Sequence, residues 1–196
     1  AFDEQKNDEK YLNAVLKCHE DTEQWSDIIS FCENALLQIT DISLKEKILR
    51  KIVEVHYRHI KDYASAFIHA CRYIEAFPGK DWIYSIVKEC AKFNETEEEL
   101  AELFEDFSQK VAGIERIQLL SEAALLNENQ LSNFELAGRC YQKIIETNSK
   151  SITGHQGLIR NLKKLEKWQD CVEKTQEALK KLDDPDTITQ EARVQF

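Results

Sequence analysis

The sequence predicts an all-α fold, a right-handed α-solenoid of about five antiparallel helix pairs, and three observations predict it. The first is a recurring phrase. An aromatic follows a polar residue, a small or aliphatic residue stands three on, and the stretch closes on apolar residues. Trp25, Ile28, Cys32, Ala35 and Leu36 make one copy, and Tyr63, Ala66, Ala70 and Tyr73 a second. Phe134, Ala137, Tyr141, Ile144 and Ile145 make a third, and Trp168, Cys171, Thr175, Ala178 and Leu179 a fourth. The second observation is spacing. Apolar residues recur at intervals of three and four, and no stretch alternates long enough to read as a strand. The third is the scarcity of chain breakers. With 5 Gly and 2 Pro in 196 residues, the chain favours long helices and short joints.

The elements follow in order. Residues 6–20 and 24–39 read as the first helix pair. Residues 43–59 and 63–77 form the second, with Ser43 and Glu46 spaced as a capping box. Pro78-Gly79 ends that pair, and 80–93 with 96–110 form the third, where Thr96 and Glu99 repeat the capping-box spacing. Its second helix lacks the aromatic opener and takes its face from Leu100, Leu103, Phe104 and Phe107. Residues 112–128 with 133–148 form the fourth pair and 151–165 with 168–182 the fifth. Joints this short force paired helices to lie antiparallel. The reading is one repeat domain over 1–196, with units 6–39, 43–77, 80–110, 112–148 and 151–182. After Asp183-Asp184-Pro185-Asp186, residues 187–196 resemble the opening of a further helix. Together with the absence of Met, this reads as a fragment of a longer array, whose open end favours self-association.

These units resemble the tetratricopeptide repeat, a helix-turn-helix of about 34 residues. Tyr63, Ala66, Ala70, Tyr73 and Pro78 carry the resemblance most fully. The aromatic openers step by 38 residues from Trp25 to Tyr63, by 71 (two units) to Phe134, and by 34 to Trp168. The periods vary and the first helices lack the usual Gly, so the units are degenerate. The packing logic is plain. Ala66, Ala137 and Ala178 let helices approach, and the aromatics fill the gap to the next unit. Trp25 and Trp168 are expected to be buried, each worth about 3–5 kcal/mol if truncated.

Composition excludes several functions. A net charge of -10 disfavours nucleic acid and anionic membranes. That argues against the pentatricopeptide-type RNA binder, which also uses helical pairs. The charge is uneven: residues 1–110 carry 14 Lys/Arg against 23 Asp/Glu, residues 111–196 carry 12 against 13. No apolar run approaches the roughly 18 residues that span a bilayer. The cysteines at 18, 32, 71, 90, 140 and 171 form no Cys-x-x-Cys pair and sit inside helical patterns. They read as reduced core thiols, which places the protein in the cytoplasm. No Gly-rich phosphate loop and no Gly-x-Ser-x-Gly elbow occurs, so neither an enzyme nor a cofactor is predicted.

The candidate site follows from the resemblance, which implies a concave groove lined by first helices. Its groove-facing set is Asn13, Lys17, Lys51, Arg58, His59, Gln156, Arg160 and Lys163. Recurrent cations there imply a protein or peptide partner with an acidic segment or a C-terminal carboxylate. The carboxylate clamp of the chaperone-binding subfamily is not reproduced, because Lys17 stands at an Asn position and Ile48 and Ile52 fall near polar ones. A second patch is acidic: Glu97, Glu98, Glu102 and Glu105, suited to a basic partner. His56 and His59, with His69 in the partner helix, have a spacing that metals use, but nothing nearby completes a site, so no metal is assigned. The functional expectation is a non-catalytic interaction scaffold. The alternative is a regulatory or substrate-recruiting segment of a larger enzyme.

Overall fold

The computed structural model describes residues 9–182, and all of their regular structure is helical. The helices are α1 (Glu9–Asp21), α2 (Trp25–Leu36), α3 (Ile42–Glu54), α4 (Tyr63–Ala76), α5 (Asp81–Asn94), α6 (Glu97–Lys110), α7 (Gly113–Asn129), α8 (Phe134–Thr147), α9 (Ile152–Lys164) and α10 (Trp168–Lys181). A π-helical segment, Val55–Ile60, continues α3. The expected start at residue 6 and the expected further helix at 187–196 lie outside the described residues. None of the described helices is long and apolar enough to cross a membrane. The chain forms two compact units, divided between Glu95 and Thr96.

The joints repeat a single backbone device. Glu23, Lys61, Glu95, Ser132 and Glu166 each follow the first helix of a predicted pair, and each has a left-handed φ between 52° and 59°. This is the turn that glycine usually supplies at a helix C-terminus. Among the described residues, non-glycine residues adopt it five times over.

In the first unit, α1 to α3 enclose Leu12, Leu16, Ile28, Cys32, Ile48 and Ile52. Ala66 and Ala70 are fully buried, which lets α4 approach closely. Tyr73 is also fully buried and donates its hydroxyl to Glu46 at 2.8 Å. Lys80 completes the pair to Glu46 at 3.0 Å. The Lys80 and Tyr73 hydrogen bonds hold the Glu46 carboxyl below its usual range. Burial, with the Glu46 bond second, pushes the Tyr73 hydroxyl up to about 12. Trp82 packs edge-on to Tyr73, and the Arg50 guanidinium lies 4.7 Å above the Trp82 ring.

In the second unit, Leu100, Phe104, Leu119, Leu120, Tyr141 and Ile144 form the centre. Phe104 and Leu100 fulfil the face expected of the helix that lacks an aromatic opener. Helix α10 is attached by less: Cys171 and Ala178 are buried against Ile159, flanked by half-buried Leu162, Leu179 and Leu182.

Three local expectations are corrected. The cap of α3 is Asp41, which accepts from the Leu44 amide at 2.8 Å. Ser43 lies inside the helix, and the Glu46 carboxylate is drawn to Tyr73 and Lys80 instead. Thr96 precedes α6 but makes no capping bond, so that box does not close either. Trp168 is 59% exposed and Trp25 only half buried, because each stands at a helix start, at the edge of its layer.

Candidate protein-interaction surfaces

The first-unit members of the predicted groove set divide into two places. Asn13 and Lys51 come together between α1 and α3, where they line a cavity of about 310 Å³ with Leu12, Leu16, Lys47 and Arg50. The cations there are largely answered from within. Lys51 pairs with Glu20 at 2.7 Å, Arg50 with Glu54 at 3.0 Å, and Lys47 with Glu9. Lys17 is exposed one turn beyond Asn13 and has no ion-pair partner among the described residues.

Arg58 and His59 are elsewhere because of the π-helical segment. An α-helix brings residue i+7 back to nearly the same face, whereas a π turn takes up more residues. Lys51 and Arg58 therefore do not share a face as a continuous α-helix would have them. His59 stacks on Trp25, with centroids 3.8 Å apart. The same end of the unit carries Tyr63 stacked on Phe93 at 4.3 Å, with Phe93 59% exposed.

The histidines pair with aromatic rings instead of gathering round one point. His56 and His69 lie ring on ring, 5.2 Å apart and 13° from parallel. Stacked imidazoles direct their lone pairs along parallel planes rather than at one ion. Among the described residues, no three His, Cys, Asp or Glu are grouped to hold a metal. The Nδ1 atoms of both rings are buried without a hydrogen-bond partner. Burial lowers the basicity of each ring; Asp62 and Glu33 partly oppose it.

In the second unit, Gln156, Arg160 and Lys163 follow one another along α9. Arg160 is engaged: its guanidinium forks onto Glu128, with Nη2 at 2.8 Å from one carboxylate oxygen and Nε bonded to the other. Burial works to raise the Glu128 carboxyl, but Arg160 outweighs it and holds the group below its usual range. Tyr141 donates to the same carboxylate at 3.1 Å, and burial with that contact pushes its hydroxyl up to about 12. Arg160 is thus a structural partner as well as a surface cation. Of the acidic set on α6, Glu98 and Glu102 are exposed and Glu97 half-buried in the first turn, where acids suit the helix dipole. Glu105 turns inward and bonds to Lys143 and to the Cys140 thiol.

The sequence reading missed one feature of this unit. Between α8, α9 and α10 lies a cavity of about 600 Å³, floored by Gly138, Leu158 and Leu162 and rimmed by charged residues of α8 and α10. The available signal was Gly138, a glycine in the middle of a strongly amphipathic helix.

No protein-family profile and no curated protein matches the chain. Among solved structures it is similar to one titled "Crystal structure of MamA protein", with a TM-score of 0.49 and 10% identity, over 98% of this chain and 97% of that one.

Proposed function

We propose that this chain is a non-catalytic protein-interaction scaffold that binds a peptide or partner segment on its helical faces. The observation that carries the reading is the cleft between α1 and α3, where Asn13, Lys51 and their cationic neighbours line an open, partly apolar recess. Such a recess takes an extended segment whose acidic groups exchange with Glu20 and Glu54 for Lys51. Exposed Lys17 stands one turn along α1 from Asn13. The buried thiols fit a reducing compartment such as the cytoplasm.

Affinity capture from a native lysate tests this, with Asn13→Trp, which fills the recess, plus Lys17→Glu as control. Both side chains are exposed, so the exchange leaves the core intact. Arg160→Glu is unsuitable, since it sets a second carboxylate against Glu128. A partner held by the wild type and lost by a folded double variant supports the reading. Equal retention moves the interface off the α1–α3 recess, and no specific capture rejects the scaffold role.

A further inference from the structure

Helix α10 presents an apolar stripe that the corresponding helices keep covered. In α2 the stripe is Trp25, Ile29, Cys32 and Leu36, and Ile48, Ile52 and Val55 of α3 share one core with it. The His59 ring on Trp25 fixes the antiparallel register of that contact. In α4 the same spacing gives Tyr63, Phe67, Ala70 and Ile74. Phe93 of α5 stacks on the first, and the other three are buried. In α8, Gly157 and Gly154 of α9 lie against Tyr141 and Ile145. In α10 the spacing falls on Trp168, Val172, Thr175 and Leu179. Trp168 is 59% and Val172 46% exposed, Thr175 and Leu179 are half-buried, and no described helix follows to cover them.

Helix α1 is the complementary case, a first helix with no described second helix before it. Its Leu12 and Leu16 belong to the core shared with α2 and α3. Tyr11, Val15 and Cys18 stand one residue or two to the side, at the spacing of Ile48, Ile52 and Val55, the α3 residues that meet α2. Those three are fully buried on α3. On α1, Tyr11 and Val15 are half-buried and Cys18 is exposed. Tyr11 and Val15 also border a cavity of about 440 Å³ with Phe31 and Ala35 of α2.

In a helical repeat array each unit buries its apolar faces against its neighbours, and an end without a neighbour is ordinarily polar. Here the first and the last described helices both carry an apolar stripe on the side where a neighbour would pack. The two stripes match, because α10 lacks a covering first helix and α1 is a first helix with nothing to cover.

We infer that α1 of a second copy of this chain covers the α10 stripe, repeating between molecules the contact that α3 makes with α2. Carried over, the α2–α3 register sets Cys18 opposite Val172, Val15 opposite Thr175 and Tyr11 opposite Leu179. The contact is heterologous, so each copy gives α1 to one neighbour and α10 to another. It does not use the α1–α3 recess and stands independently of the scaffold reading.

Cys18 is exposed and the other five cysteines are buried, so its thiol reports on the contact. In the wild-type protein its reaction with a thiol reagent is expected to be fast in dilute solution and to slow as protein concentration rises, in step with an increase in mass measured by sedimentation. Trp168→Glu changes an exposed ring, so the fold is kept while the protein stays monomeric and Cys18 stays reactive at every concentration. Val172→Cys is expected to give disulfide-linked oligomers under mild oxidation. Val172→Cys with Cys18→Ser is expected to lose them, and Asp170→Cys, on the opposite side of α10, to give none. A wild-type protein that stays monomeric at high concentration overturns the proposal and leaves the stripe to residues 183–196 of the same chain or to a different protein. Association that survives Trp168→Glu overturns it as well. Equal crosslinking of Val172→Cys without Cys18 overturns it by showing that α10 meets α10.

Discussion

Gly157 is the residue at which packing is least forgiving. Its α-carbon faces the Tyr141 ring so closely that any Cβ would overlap it, at 2.4–2.5 Å from three ring atoms. Tyr141 cannot yield, because its hydroxyl is tied to Glu128 and Arg160. Gly157→Ala is expected to destabilise by about 1–3 kcal/mol, the usual range for overpacking, as measured by urea denaturation. Trp168 is the opposite case. Its exposed ring forfeits little on truncation, so Trp168→Ala is expected to cost about 1 kcal/mol rather than the 3–5 of a buried aromatic. A loss in the upper range would mean that the ring is covered in solution. The His56–His69 stack sets a residue-scale pH dependence. Both folded-state values lie below the ordinary 6.5, for burial chiefly and, at His69, for the neighbouring His56 ring next. Glu33 opposes the shift at both rings, and Asp62 faces both as well; Arg72 adds to the shift at His69. The unfolded chain therefore binds protons more readily. The stack's contribution is complete above pH 6.5 and is lost as pH falls below it toward the folded-state values. Denaturation midpoints at pH 7.5 and 5.5 are expected to differ in that direction, and His69→Asn to flatten the difference. An unchanged slope in the variant would assign the pH dependence to other groups.

At the scale of elements, the joints share one left-handed residue. A left-handed residue costs an ordinary side chain about 1–2 kcal/mol, which glycine avoids. Glu166 at φ 58° is exposed and outside any ion pair among the described residues. Glu166→Gly is expected to stabilise by roughly 0.5–1 kcal/mol, the strain relieved less the added freedom of the unfolded chain. Gly113 at φ 61° is the reciprocal test, since a Cβ there would meet nothing within 4 Å. Gly113→Ala should therefore lose about 1 kcal/mol from backbone strain alone. The two melting shifts must have opposite signs, and like signs would contradict this account of the joints. The π-helical segment is the other element-scale decision. It was not legible in the periodicity, because Val55, His56 and Tyr57 continue a helical pattern, and it is what parts Arg58 from Lys51.

Across the whole molecule, the sulfur atoms report how completely the helical layers close. Cys32, Cys71, Cys90, Cys140 and Cys171 are buried, and Cys18 is exposed. Burial pushes the thiols of Cys32 and Cys140 up to about 12 and that of Cys90 to about 11. A thiol so displaced stays protonated and is a poor nucleophile, and burial shields it from reagents. A thiol-reactive chromogenic reagent at pH 8 is expected to modify one of the six cysteines rapidly in the native protein and the rest only after unfolding. Rapid modification of two or more would show that a helical layer opens on the timescale of the reaction.

The amino-acid sequence by itself determined the all-α class of this protein and where its described helices lie. Apolar spacing of three and four fixes which residues turn inward, so the expected helix at 63–77 emerges as Tyr63–Ala76 and that at 168–182 as Trp168–Lys181. Small residues at Ala66, Ala137 and Ala178 announced close packing and are fully buried. These are local properties, carried by a few neighbours on one helix face. Which polar side chains remain available to a partner is not local. Arg160 and Glu105 read as surface charges, yet meet Glu128 and Lys143 across 32 and 38 residues of chain. Lys51 likewise finds Glu20 across 31. The α8–α10 cavity needs three helices to exist at all. Periodicity records the face a residue occupies, whereas pairing and cavities depend on what another helix brings opposite it, and only the tertiary structure decides that.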